Sequence, residues 1–448
     1  VKITFLGGVG TVTGSKTMVT HDGGRFLVDA GLFQGLKHLR LRNWERLPFD
    51  PRALDAVVLT HAHLDHSGAL PLLARAGFAG PIYATSATAA LLPILLRDAA
   101  WLQEEDARYA NKRGFSRHKP ARPLYDVADV ERALRLIRPM PFDRSFPVDG
   151  ARVTFTPVGH VLGAASVRVE SQGRSLVMSG DVGRTNDVLL RTPAPFAGAD
   201  ALVLESTYGD RLHVEQDARE VLAHVVNRVC GRGGVLLVPT FAVGRTQALL
   251  HLLADLTVAG RIPAVPTFLN SPMGIAATQA FLDHPEAHRL SRSACEALAD
   301  RATFVRDVEE SKALNRRGGP MILIAGSGMA TGGRILHHLE AFGPDPNNGI
   351  LLVGYQAAGT RGEAIASGAP DVKIHGEQIP IRAERFEIDA LSGHADWREL
   401  VDWVRGTPEP RKVLLNHGEP TAAEALARHL QEELGWRARV AGEETVDV

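Results

Sequence analysis

Three histidines and an aspartate fall within six residues: His61, His63, Asp65 and His66. Imidazole nitrogens and carboxylate oxygens hold Zn²⁺ and similar borderline cations at neutral pH. On an extended segment His61 and His63 point to one side, and a turn carries Asp65 and His66 to another. That spacing offers half-shells for two metals rather than a closed cage for one; a polar turn with chance histidines is the competing account. Further along, single polar residues end apolar runs: His160, Asp181, Glu205, His394 and His417. Six of the 18 histidines belong to this set, and the repetition is the signal. Two cations bridged by one carboxylate need about this inventory of ligands. Such a pair brings a water near its pKa at neutral pH and clamps the attacking and leaving oxygens of an in-line displacement. Hydrolysis follows as the chemistry, with phosphodiesters favoured because two cations neutralise their charge.

The elements that must position these groups are short buried strands. Residues 56–59 are apolar and lead straight into His61; 175–179 lead to Asp181, 201–204 to Glu205 and 412–416 to His417. Ligands at strand ends converge on one edge of a sheet, where loops carry functional groups on a rigid scaffold. Asp29, at the end of the strand-like run 25–28, suits an acceptor that orients a metal-binding histidine; an ordinary Asx turn suits it as well. Gly7-Gly8-Val9-Gly10 lacks the spacing of a P-loop or dinucleotide fingerprint and reads as a tight turn. Residues 68–76 and 88–110 are helical in pattern, the latter with Pro93 in its first turns. The basic segment 111–123, with Lys112, Arg113, Arg117, His118, Lys119 and Arg122, reads as an exposed loop.

From about residue 209 to 372 the texture changes to alternating strands and helices: 217–229 helical, 234–239 a buried strand, 245–256 helical, 321–325 a strand, 349–353 another. Strand–loop–helix units of this kind build a parallel sheet with helices on its faces. The loop 326–328 is expected to open a helix, a position suited to a phosphate. After 372 the chain returns to polar strand ends, with Asp396 near a helix N-cap. The expected organisation is therefore one domain from 1–208 with 373–448, and a second, inserted domain at 209–372.

At 448 residues two domains are the natural expectation. A formal net charge of −1 argues against bulk electrostatic capture of nucleic acid, without excluding a local basic groove. Arginine greatly outnumbers lysine; this suits bidentate phosphate contacts, and codon bias produces the same excess. Two unpaired-looking cysteines, Cys230 and Cys295, imply neither a disulfide framework nor a thiolate zinc site. No leader is expected at the strand-like opening, and no stretch approaches bilayer-spanning length, so the expectation is a cytoplasmic enzyme without a membrane partner.

Together these residues resemble a known family. His61-Ala62-His63-Leu64-Asp65-His66, with His160 and Asp181, is similar to the metallo-β-lactamase superfamily. Glu205-Ser206-Thr207-Tyr208-Gly209-Asp210, Ser392-Gly393-His394-Ala395 and Leu415-Asn416-His417-Gly418-Glu419 resemble the three further motifs of its β-CASP nucleases. Gly326-Ser327-Gly328-Met329 with Gly332-Gly333-Arg334, and Gly354-Tyr355-Gln356 with Gly359-Thr360, resemble the RNA endonuclease branch that includes the cleavage and polyadenylation nuclease. The resemblance covers essentially the whole chain. It implies a four-layer αββα sandwich with the α/β β-CASP domain inserted as a cap, and substrate in the cleft between them.

By position, it gives His61, His63, His160 and Asp181 to one Zn²⁺, and Asp65, His66, Asp181 and His417 to another, with Asp181 bridging and Mn²⁺ the alternative metal. Asp29 buttresses the site. Asp65, Glu205 and His394 are the expected catalytic groups, Glu205 orienting His394 towards the scissile phosphate or leaving oxygen. The nucleophile it implies is a metal-bridging hydroxide, and the activity is endonucleolytic hydrolysis of RNA. Arg245, Ser327, Arg334 and the turn Gly359-Thr360-Arg361 are candidate RNA contacts.

Three rivals stay open. A 5′–3′ exonuclease of the ribonuclease J type shares the metal motifs but carries a further C-terminal domain, expected to be missing here because His417 lies near the end. A small-ester or thioester hydrolase of the wider superfamily would not call for so large an insert. A non-catalytic RNA-binding scaffold would have lost ligands, and every expected one is present. The sequence does not fix the oligomeric state; a homodimer is among the arrangements it allows.

Overall fold

A strand apolar on both faces must lie inside a layered fold, and Ala201–Glu205 is buried at all five positions. It sits in a seven-stranded sheet with spatial order Ala438–Val440, Lys412–Asn416, Ala201–Glu205, Arg174–Met178, Ala165–Ser171, Ala151–Pro157 and Phe146–Val148. The first four run parallel to one another and the last three alternate. A second seven-stranded sheet has the order Thr445–Asp447, Lys2–Gly7, Lys16–His21, Gly24–Val28, Ala56–Val58, Ile82–Thr85 and Ile137–Met140. Its pairings are antiparallel as far as Gly24–Val28 and parallel beyond. The structure is a computed structural model and describes every residue except Phe115, Arg117, Tyr355 and Ala358.

The sheets face one another across one core, in which Ile3, Phe5, Phe26 and Val58 from one meet Phe155, Val167, Leu176 and Leu414 from the other. Each such side chain contributes about 1.5–3 kcal/mol by leaving water. Helix Ser86–Arg113 covers Ile82–Thr85 and Ile137–Met140, and helix Pro420–Leu434 covers Lys412–Asn416 and Ala438–Val440. The result is the expected αββα sandwich. Thr85 caps the long helix by accepting from Thr88 N, and Gly114, left-handed at φ +69°, ends it. Pro93 lies at its eighth residue, past the first turns where it was expected, and the helix forgoes one backbone hydrogen bond there.

The second unit comprises residues 187–190 and 213–392. Its six strands run Thr303–Phe304, Thr267–Asn270, Met321–Ala325, Val235–Pro239, Gly349–Val353 and Glu384–Ile388, with every pairing parallel. Two boundaries differ from expectation. The chain leaves this unit near residue 392 rather than 372, because Glu384–Ile388 pairs with Gly349–Val353 as an edge strand and the hairpin Asp371–Ile374/Glu377–Pro380 has its own two-stranded sheet. The loop 326–328 does not open a helix directly; the helix begins at Ile335, after Arg334. Among the described residues no helix is long and apolar enough to cross a membrane. The part of the basic segment at Arg117, and Tyr355 of the Gly354-Tyr355-Gln356 motif, lie outside the described residues.

Candidate metal centre

Parallel strands bring their carboxyl ends to one edge, and the first unit uses this twice. Gly24–Val28 and Ala56–Val58 are parallel, so Asp29 and the His61 stretch emerge together. Arg174–Met178, Ala201–Glu205 and Lys412–Asn416 are parallel, so Asp181, Glu205 and His417 do the same. His160 joins them because two antiparallel steps restore the direction of Ala151–Pro157. The turn before the histidines is close-fitted: a Cβ on Gly31 would stand 1.6 Å from the Asp65 carbonyl oxygen, so only glycine serves there.

One donor atom each from His61, His63, His160 and Asp181 lies within 4.8 Å of the others, and the same holds for Asp65, His66 and His417. Asp181 faces both groups. Its Oδ2 is 3.6 Å from His61 Nε2 and 3.5 Å from His160 Nε2. Its Oδ1 is 3.3 Å from His66 Nε2 and 3.4 Å from His417 Nδ1. His63 Nδ1 and His160 Nε2 point at each other at 3.1 Å, as do His66 Nε2 and His417 Nε2, also at 3.1 Å. Nitrogens bound to one tetrahedral Zn²⁺ at about 2 Å stand a little over 3 Å apart. Buried His61 Nε2 and Asp181 Oδ1 have no hydrogen-bond partner, which in so polar a cluster is the mark of atoms reserved for a ligand. The donor set fits divalent cations of the zinc class.

Neighbouring groups set the orientation of the rings. Asp29, at φ +63°, accepts from Thr60 N and Thr60 Oγ1, both at 2.8 Å, and its Oδ2 is 2.7 Å from His66 Nδ1. His66 Nε2 is thereby aimed at the cluster. His160 Nδ1 donates to the Gly393 carbonyl at 2.8 Å, and Thr60 Oγ1 lies 3.0 Å from His61 Nδ1. The role of Thr60 was not read from the sequence; its place between an apolar strand and His61 was the available clue.

Charge states follow. Burial, with the neighbouring imidazoles, pushes His61 and His160 well below the ordinary histidine range, so both are neutral. Burial works against charge on Asp65 and Asp181 too. The hydrogen bond and charge of His417, with His66, nevertheless hold Asp65 at about 2, and His417, His66 and His61 hold Asp181 well below the carboxylate range. His66 is pushed well above its usual value, against burial, by Asp181 and Asp29. Ionised Asp65 and Asp181 beside neutral His61 and His160 are already in the states that ligate a cation, whereas His66, held charged by its two carboxylates, gives up a proton when a cation enters.

Glu205 and His394 stand beside this centre. Glu205 accepts from Val182 N at 2.6 Å and Thr207 N at 3.3 Å, and its Oε1 is 3.4 Å from His394 Nδ1. Glu205 also groups with Asp181 and His417 as donors. His394 Nε2 is 4.0 Å from Asp181 Oδ2. Burial disfavours the charged ring, but Glu205, then Asp181 and Asp65, push His394 up to about 9. Tyr208 sets its ring edge-to-face with His394 at 5.7 Å between centroids, a contact the sequence did not predict.

The proposed RNA contacts lie in the second unit. Arg334 spends its guanidinium on Asn270 Oδ1 and the carbonyls of Val305 and Arg306. Arg361 spends its own on the carbonyls of Lys373, Ala330 and Thr331. Arg245 lies over the Phe241 ring and donates to the Val353 carbonyl at 3.1 Å. The Ser327 hydroxyl is exposed, 3.1 Å from Thr331 Oγ1.

Comparison with known proteins agrees with this geometry. Residues 9–219 match the metallo-beta-lactamase superfamily model, 246–365 the Beta-Casp domain, and 378–441 the Zn-dependent metallo-hydrolase RNA specificity domain. Ribonuclease TTHA0252 of Thermus thermophilus is 39% identical over 438 residues, 96% of each chain. The chain belongs to the β-CASP family of the metallo-β-lactamase superfamily. As a β-CASP protein it is a metal-dependent hydrolase, and its sandwich and inserted α/β domain are the two parts of that fold. Transcription termination factor FttA of Pyrococcus abyssi is 31% identical over 470 residues, covering 98% of this chain and 70% of that protein. A crystal structure of a protein of unknown function from Enterococcus faecalis V583 shares the fold, with a TM-score of 0.57, 14% identity, and coverage of 100% of this chain and 99% of that one.

Proposed function

We propose that this β-CASP protein is a dinuclear zinc-dependent endoribonuclease, with Mn²⁺ as the alternative metal. Asp181 carries the reading, because its two oxygens face two separate donor groups. His61, His63 and His160 would hold one cation and Asp65, His66 and His417 the other, sharing Asp181. When bound, such a pair supplies an activated water and neutralises phosphodiester charge. The chain's own groups do the rest. Asp29 and Thr60 fix ring orientation, the low-pKa carboxylates keep the site ionised, and Glu205 aims His394 to bind the phosphate or protonate the leaving oxygen. RNA as substrate is supported by the RNA specificity domain and by the relative named a ribonuclease. Internal cleavage is supported by the resemblance of Gly326-Ser327-Gly328-Met329 and Gly332-Gly333-Arg334 to the endonuclease branch. Ser327 remains a proposed RNA contact; Arg334 has its donors committed internally.

Labelled circular RNA tests the reading against its nearest rival. An endonuclease opens the circle when Zn²⁺ or Mn²⁺ is supplied and stops when the metal is chelated. A circle left intact while the linear form of the same RNA is degraded would transfer the assignment to an exonuclease. A generic thioester, assayed in parallel, is expected to remain unhydrolysed.

Asp29→Ala leaves every proposed ligand in place but releases the His66 ring and strips Thr60 N of its buried acceptor. Metal affinity is expected to fall about 10–100-fold, read by zinc titration. Circular dichroism should show the fold retained. An unchanged affinity would remove Asp29 from the site.

A further inference from the structure

His337, Glu340 and His375 form another cluster of metal donors, all in the second unit. His337 and Glu340 are three residues apart on helix Ile335–Phe342 and so share one face. His375 comes from the turn that joins Asp371–Ile374 to Glu377–Pro380. Its Nδ1 is 2.8 Å from Glu340 Oε1, and His337 Nδ1 is 3.5 Å from Glu340 Oε2. The two rings stack, with centroids 4.7 Å apart and 28° between planes. One donor atom from each residue lies within 4.8 Å of the other two. Donors held about 2 Å from one cation stand roughly 3–3.5 Å apart, so closing this group needs only small side-chain rotations.

The turn supplies a second observation. His375 and Gly376 both have positive φ, +48° and +98°, the two-residue hairpin turn that favours Asn-Gly. Histidine there forgoes the best turn residue and carries an imidazole to the helix face already bearing His337 and Glu340. Glu340 already turns one oxygen to each ring, Oε1 to His375 at 2.8 Å and Oε2 to His337 at 3.5 Å, so the three donors are gathered before any cation arrives. A shared cation uses all three.

We propose that His337, Glu340 and His375 bind a further divalent cation. Two imidazoles and one carboxylate select the zinc class over Ca²⁺ or Mg²⁺, which prefer all-oxygen shells. The side chains are 59%, 29% and 47% exposed, so remaining positions are open to water or an incoming ligand, and the site fills after the buried centre. Filling it fastens the hairpin to the helix. The hairpin is otherwise attached through Val372 and Ile374 in the core and through Arg361, whose Nε donates to the Lys373 carbonyl at 2.6 Å.

Native mass spectrometry of the full chain, titrated with Zn²⁺, reads the site directly. Wild type is expected to take one more equivalent than His375→Asn, a substitution chosen because asparagine suits the turn. His337→Gln should lose the same equivalent from the helix side. Hydrogen exchange over residues 371–380 should slow with Zn²⁺ in wild type and not in either variant, while RNA cleavage at saturating metal stays unchanged. The reading concerns the difference of one equivalent, so failure of the two-cation centre would lower all totals and leave that difference intact. Equal zinc content in wild type and both variants would overturn the site.

Discussion

Asp181→Ala is expected to lower RNA cleavage by at least about four orders of magnitude and to cost the protein both cations of the buried centre. No other side chain of the centre presents two oxygens to two donor groups. Oδ2 stands at 3.6 and 3.5 Å from His61 and His160, and Oδ1 at 3.3 and 3.4 Å from His66 and His417. Removing it leaves Asp65 as the one carboxylate among the seven proposed ligands' remaining imidazoles. The charge of two dications is then largely uncompensated in a buried site, and cation affinity falls in both halves together. His61→Ala, by contrast, strips one half alone and should leave about one equivalent bound in the buried centre. The core between the sheets does not involve Asp181, so both variants should stay folded. Metal content by elemental analysis and cleavage of labelled RNA are the two readouts. An Asp181→Ala protein that kept two cations and a rate within tenfold of wild type would sink the bridging role.

Much of this site was legible because of how a buried parallel strand is written. Ala56–Val58, Ala201–Glu205 and Lys412–Asn416 carry buried apolar runs, so the polar residues at or just past their ends, Thr60 and His61, Glu205, and Asn416 and His417, mark the carboxyl ends. Parallel neighbours then place those ends together without any further signal in the sequence. What the spacing could not give was the division of labour within a residue. That Asp181 turns one oxygen to each group depends on strand register, Met178 standing opposite Val203 and Leu204 opposite Leu415, which no local pattern encodes. His417 at φ +51° and Asp29 at φ +63° adopt a left-handed backbone that is uncommon outside glycine, although Asp and His enter it more readily than most residues, and no spacing pattern announces it.

The arginines mark the other limit. After a glycine pair, Arg334 looks like a residue held out to solvent, yet its partners Asn270, Val305 and Arg306 come from segments tens of residues upstream. Bidentate geometry suits a phosphate and a pair of carbonyl oxygens alike, and sequence alone does not distinguish them. The domain return near residue 392 was missed for a related reason. Glu384–Ile388 alternates charged and apolar residues as an edge strand does, and this weak pattern lacks the apolar run that announced the other strands.

His394→Ala should cut the turnover rate by about 10²–10⁴-fold while both cations of the centre stay bound. The ring is not among the clustered donors, but Nε2 reaches to 4.0 Å from Asp181 Oδ2, and the side chain is 22% exposed where Asp181 is 2% exposed. It is therefore a group beside the centre that a substrate can touch. Glu205, fixed by Val182 N and Thr207 N, takes Nδ1 at 3.4 Å and so leaves Nε2 pointing into the site. Glu205→Gln keeps the size but not the charge of that partner, and a smaller loss of rate is expected. The two roles open to His394 separate kinetically. A proton donor lost from the leaving oxygen lowers kcat with KM nearly unchanged, whereas a lost phosphate contact raises KM. An RNA carrying a good leaving group at the scissile bond needs no protonation there, so it should restore most of the rate to His394→Ala if proton donation is the role. A His394→Ala enzyme that cuts ordinary RNA at the wild-type rate, with both cations in place, would exclude His394 from the chemistry.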